Sequence, residues 1–199
     1  MYAPADQYNS QKTRKGRPLL VWTIVAAGAL LFTLTILAAP LALAGNHRLL
    51  AITIYRAFGN LCHQLPERSF FIAGHQFAVC ARCTGLYAGF AFSVLLYPLI
   101  RPITATVNPP RKWLFLAAVP MAFDFGLDFV GVWQNTHSSR LLTGLLLGAA
   151  SAFYVMPGLV ELSLRRRRNR ETTRTRFTDV SAEMVASAPS DYSAPHRRI

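Results

Sequence analysis

Four long apolar stretches set the organisation of the chain. Residues 19–44, 84–100 and 141–160 hold no Asp, Glu, Lys or Arg, and residues 113–132 hold only Asp124 and Asp128. A helix needs about 20 predominantly apolar residues to cross a bilayer core. The pattern therefore predicts an all-α, polytopic membrane protein with about four transmembrane helices. Spans are expected near 19–44, 84–100, 113–132 and 141–164, within one membrane domain covering 19–164. Residues 45–83, between the first two spans, are mixed. Residues 49–58 predict a short amphipathic helix with Arg48 and Arg56 on its polar side, and Pro66 among charged neighbours predicts a turn after it. Pro102, Pro109 and Pro110 mark 101–112 as a short loop. The polar, basic tails at 1–18 and 165–199 are expected to be disordered.

The first run has a rival reading, because it ends in Leu41-Ala42-Leu43-Ala44-Gly45, a small-residue pattern like a signal-peptide cleavage site. The apolar core of a signal peptide covers only about 7–15 residues, and this run is roughly twice as long, so a span is expected. Cleavage would leave three spans and the same sidedness for all that follows.

Charge adds direction. Of the 199 residues 52% are hydrophobic and 15% charged, against about 25% charged in soluble domains. The net charge of +12 could suggest nucleic acid. Its basic residues, however, border the apolar runs, with no interleaved aromatic residues to stack on bases. They fit anionic lipid headgroups on the cytoplasmic flanks of a bilayer. Lys12, Arg14, Lys15 and Arg17 precede the first span; Arg101, Arg111 and Lys112 follow the second; five arginines between 165 and 170 follow the fourth. Placing these clusters inside gives an N-in/C-in topology. Residues 45–83 and 132–140 then lie outside, with Trp133 as an interfacial anchor.

All three cysteines fall in that outer segment. Cys80-Ala81-Arg82-Cys83 is a C-x-x-C pair at the start of the second span, and Cys62-His63 lies upstream. Two thiolates at this spacing can reach one ion, and a helix N-terminus favours the thiolate. Cys62 and His63 would complete a Cys3His site, a usual composition for structural zinc, with His75 as rival fourth ligand. Soft sulfur also suits Cu(I) or an iron-sulfur cluster. A disulfide with one odd thiol, or plain packing of small apolar side chains, is the bland alternative. No C-x-x-C-H occurs, so covalent haem is not indicated.

Asp124 and Asp128 stand four residues apart on one face of the third span. A carboxylate at a span centre costs about 2.5–3.5 kcal/mol, so Asp124 calls for a buried partner such as Arg140, Arg82 or a cation. Asp128, nearer the headgroups, reads equally well as a carboxylate at the membrane edge. Gly85-x-x-x-Gly89 and Gly144-x-x-x-Gly148 predict close helix packing.

The segments Cys62-His63-Gln64-Leu65-Pro66-Glu67-Arg68-Ser69 and Cys80-Ala81-Arg82-Cys83-Thr84-Gly85, with Asp124, Arg140 and Thr143-Gly144 further on, resemble the signature of an uncharacterised prokaryotic family of predicted membrane proteins, a domain of unknown function numbered twenty eighty-five. The resemblance covers roughly residues 55–150. It implies a multi-pass protein of the prokaryotic cell membrane and favours His63 over His75 as the fourth ligand. It implies no activity.

Three functions follow as expectations. The first is a metal site of zinc type made by Cys62, His63, Cys80 and Cys83, either structural or supporting metal-dependent chemistry on a membrane-associated substrate. In the latter case Asp124 or Glu67 would act as base, and Arg68, Arg82 or Arg140 would hold an anionic group. The second is a thiol-disulfide oxidoreductase passing electrons from Cys80 and Cys83 to quinone, in which Cys62 alone replaces the second cysteine pair such enzymes employ. The third is a non-enzymatic assembly or transporter subunit whose protein partner the sequence does not reveal. No Ser-His-Asp arrangement, phosphate loop or dinucleotide fingerprint is present.

Overall fold

The computed structural model describes residues 5–186; the expectations for 1–4 and 187–199 lie outside the described residues. The chain is mostly helical. Its elements are α1 (Ala5–Ala44), α2 (Arg48–Gly59), a 3-10 turn (Pro66–Arg68), strands β1 (Ser69–Ile72) and β2 (His75–Cys80), then α3 (Ala81–Ile100), α4 (Lys112–Phe129) and α5 (His137–Ala186). Two compact units divide it, Met1–Glu161 and Leu162–Ile199. Everything that positions the site lies in the first. In the second, the chain is helical as far as Ala186. Helix therefore enters both segments expected as disordered tails. No Gly or Pro falls between residues 165 and 186 to stop it.

Three helices are long and apolar enough to cross a membrane: Pro18–Ala44, Ala81–Ile100 and His137–Arg166, with mean hydropathies of 2.3, 1.6 and 1.6. The fourth expected span, α4, is not among them. Its 18 residues reach about 27 Å, and they include Lys112, Asp124 and Asp128.

The first unit is built around α3. A Cβ on Gly85 or Gly89 would run into the backbone of Leu141 or Leu145 in α5, and one on Gly144 or Gly148 into the backbone of Arg82 or Leu86 in α3. The two small-residue pairs thus face each other, and the helices touch main chain to main chain. On its other side α3 meets α1, where the Trp22 indole donates to the Val94 carbonyl at 2.7 Å. The Phe32 ring of α1 packs edge-on between Phe58 of α2 and Tyr87 of α3, with centroids 5.0 and 4.8 Å away. Helix α4 is moored differently. Ala117 is its one buried residue. The Tyr154 hydroxyl holds its start, donating to the Pro110 carbonyl at 2.8 Å and accepting from the Leu114 amide at 3.2 Å. An apolar cavity of about 640 Å³ separates much of it from α5.

The segment between α1 and α3 contains a feature the sequence reading missed. β1 and β2 form an antiparallel hairpin in which Ile72 pairs with His75 and Ser69 with Cys80. Its two-residue turn, Ala73-Gly74, has φ of 51° and 78°. Two successive positive φ values belong to the type I′ turn, whose twist matches that of the strands. A core of Ile36 and Ala39 from α1, Ile54 and Phe58 from α2, and Ala78 and Val79 from β2 seats the hairpin on the bundle.

The glycine contact yields a comparison. Gly148→Ala is expected to destabilise the protein by about 1–3 kcal/mol, the usual cost of overpacking. Gly28→Ala, with nothing within 4 Å of its Cβ position, should leave stability unchanged or slightly raised. Thermal unfolding of both variants in detergent checks this.

Candidate metal centre

The site begins where α2 ends. The amides of Leu61 and Cys62 both donate to the Phe58 carbonyl at 2.9 Å, which tightens the last turn and buries Cys62. The chain then reverses at Gln64, whose φ of 52° lies in the left-handed region. That conformation costs a non-glycine residue about 1–3 kcal/mol. Gln64 offsets the cost with its side chain, which donates to the carbonyls of Tyr55 at 2.8 Å and Ala78 at 2.7 Å. Its own carbonyl accepts from the Gln76 side chain at 2.6 Å. Gln76 also donates to the Ser69 hydroxyl, which in turn donates to the Leu65 carbonyl. The Tyr55 hydroxyl donates to the Gln76 carbonyl. The loop carrying Cys62 is thereby laced to the hairpin that carries Cys80.

Cys80 ends β2 and serves as the N-cap residue of α3, and Cys83 follows in the first turn of that helix. The Sγ atoms of Cys62, Cys80 and Cys83 lie within 4.8 Å of one another, and all three thiols are free. The Cys80 amide donates to Cys62 Sγ at 3.2 Å. The Cys62 thiol is held well below its ordinary range, first by the hydrogen bond from the Cys80 side chain and then by that from Cys83, against the opposing effect of burial. These features favour the thiolate at Cys62, the form that binds metal.

The expected fourth ligand behaves differently. His63 is exposed; it lines the cavity beside the cysteines but does not join the sulfur cluster. His75 sits at the opposite end of β2 from Cys80. Five residue steps along a strand are about 17 Å, too far to share an ion with Cys80.

Ion pairs ring the site. Arg82, in the first turn of α3, meets Asp124 of α4 at 2.6 Å, and their side chains are 15% and 10% exposed. Arg140 of α5 meets Asp128 at 3.2 Å, and Arg68 approaches the same carboxylate at 3.9 Å. Asp128 is thus a largely buried ionic partner, which settles its two readings. Asn135 was missed by the sequence reading. Its side-chain amide donates to the Asp124 carbonyl at 2.6 Å and to the carboxylate at 2.9 Å. A lone polar residue in a loop gives no pattern that would reveal this. The hairpin did leave a signal, because Ala73-Gly74 separates two aromatic and β-branched runs.

A cavity of about 360 Å³ joins these groups; Cys62, Cys80, Cys83, Arg68, Arg82 and Arg140 all line it. Asp124 lies outside that lining, turned to its ion pair. Glu67 also lies outside it, its side chain 65% exposed, 3.9 Å from Arg68.

The family described as "Predicted membrane protein (DUF2085)" matches residues 62–154. An uncharacterized protein of Methanocaldococcus jannaschii is 35% identical over 146 residues, 71% of this chain and 94% of the relative. The chain belongs to this family of predicted membrane proteins. An uncharacterized protein of Methanothermobacter thermautotrophicus is 37% identical over 95 residues, 48% of this chain and 84% of the relative. No solved structure matches. The DUF2085 match opens on Cys62 and closes on Tyr154 of α5, so it takes in the three cysteines and the ion pairs and leaves out α1 and α2.

Removing one member of a buried pair strands the other. Asp124→Ala alone is expected to destabilise the protein by about 3–5 kcal/mol, whereas Arg82→Met with Asp124→Leu should recover most of that loss. A double-mutant cycle on thermal unfolding measures the difference.

Proposed function

We propose that this chain is a four-span, multi-pass protein of the cell membrane, N-in/C-in, that holds one metal ion at its outer side through Cys62, Cys80 and Cys83. The convergence of the three sulfurs carries this reading. Zinc is the ion the donor set fits best. With Zn–S bonds of about 2.3 Å, tetrahedral sulfurs stand roughly 3.8 Å apart, so sulfurs already within 4.8 Å need close by no more than about an ångström. The amide of Cys80 on Cys62 Sγ supports the same reading, since it stabilises a ligating thiolate in place.

Three protein ligands leave one coordination position. If the exposed His63 turns in to take it, the ion is a closed, structural clamp between the outer loop and α3. If not, the position is available for chemistry on a membrane-associated substrate. In either case Asp124 orients Arg82 rather than abstracting a proton, because its carboxylate is engaged by Arg82 and Asn135.

For the topology, the pairing of Asp124 and Asp128 with arginines offsets the charge that sets α4 apart from the other spans. The basic flanks favour the cytoplasm for both termini. Reporter fusions decide it. A reporter at residue 106 and one after residue 199 should both read cytoplasmic and one at residue 46 external. Three spans would put the two termini on opposite sides.

Elemental analysis of detergent-purified protein with thiol counting tests the metal. One tightly held zinc per chain, lost in Cys83→Ala, is expected. No metal, with two of the three thiols oxidised, would sink the metal reading and favour thiol-disulfide exchange with quinone as acceptor.

A further inference from the structure

Arg68, Arg82 and Arg140 reach the cavity beside the cysteines from three different elements: the 3-10 turn, the first turn of α3 and the first turn of α5. A guanidinium carries five N–H donors in a rigid fork. In Arg82 and Arg140 the hydrogen bonds to aspartate use Nη2 alone, and Nε of each is buried without a hydrogen-bond partner. The Arg140 side chain is only 8% exposed, so its unused donor is cut off from bulk water, and an unmatched buried donor is costly. Asp128 is shared between Arg68 and Arg140, and Arg68 also lies 3.9 Å from the exposed Glu67; the lining of the cavity nonetheless carries the three guanidiniums and none of these carboxylates.

We propose that this cavity binds a phosphoryl group, with Arg68, Arg82 and Arg140 as its donors. A carboxylate presents two oxygens; a phosphoryl group presents three or more, which suits guanidiniums converging from three directions. The volume of about 360 Å³ admits a group larger than phosphate itself. The phosphoryl group can come from a phospholipid headgroup or from a soluble phosphate compound. The site stands on the arginines and goes beyond the metal reading without depending on it.

The test uses the full chain in dodecyl maltoside, a detergent without phosphate, titrated calorimetrically with inorganic phosphate. Saturable binding of one phosphate per chain is expected. Arg68→Gln and Arg140→Lys should each weaken it about tenfold or more, the scale of one lost charge-assisted hydrogen bond. Lysine at 140 keeps a charge for Asp128 but loses the fork, so a folded variant remains testable. Phosphatidylglycerol discs separate the sources: abolished phosphate binding there assigns the site to a lipid headgroup, and unchanged binding assigns it to a soluble phosphate compound. Absence of saturable binding in the detergent, or wild-type affinity in both arginine variants, overturns the proposal. Protein that holds zinc but no phosphate would overturn it and leave the metal reading standing.

Discussion

A charge removed from water must find its opposite, and that constraint shapes the end of this protein that carries the cysteines. Neither Asp124 nor Asp128 is tolerable alone once buried beside an apolar helix, since a buried charge without a partner is strongly destabilising. Arg82 and Arg140, at the first turns of two other helices, supply the opposite charges. Because α4 buries little of its own apolar surface, these ion pairs hold its C-terminal end where side-chain packing does not. They also hold two guanidiniums at the edge of the cavity, with Arg68 as a third.

The cysteine cluster depends on a different set of forces. Its three sulfurs come from a loop, a strand end and a helix start, elements with no intrinsic reason to meet. Hydrogen bonds from the Gln64 and Gln76 side chains bring them together by joining the loop to the hairpin. The left-handed backbone at Gln64 turns the chain sharply after Cys62. The Cys-His-Gln segment thus divides its work: the cysteine contributes a donor atom, and the glutamine supplies the geometry that aims it.

Much of this was legible in the sequence, and the parts that were not share a cause. Apolar run length gave the helices, because a bilayer writes its thickness directly into composition. The C-x-x-C spacing and Cys62 marked the sulfur cluster, and the need of Asp124 for a buried partner pointed to Arg82 or Arg140. The geometry of His63 was not legible, because adjacent residues point in different directions and only the fold decides which one faces inward. The hairpin was hidden by its brevity and by the helix that follows it without a break. Asn135 and Gln76 act through hydrogen bonds across the fold, and a lone polar residue carries no periodicity. The place of α4 was the hardest to read, because its C-terminal end is held by ion pairs across the fold and not by a periodic apolar face.

The crossing of α3 and α5 has a consequence for how this sequence can drift. Where two side chains meet, enlarging one can be matched by trimming the other, and the pair wanders together over time. At Gly85, Gly89, Gly144 and Gly148 each glycine faces backbone, which has nothing to trim. No partner substitution can make room, so the four positions are frozen independently of one another. Arg82 lies one turn before Gly85, and Arg140 one turn before Gly144, so the same immobility fixes the spacing of two arginines that stand 58 residues apart in the chain.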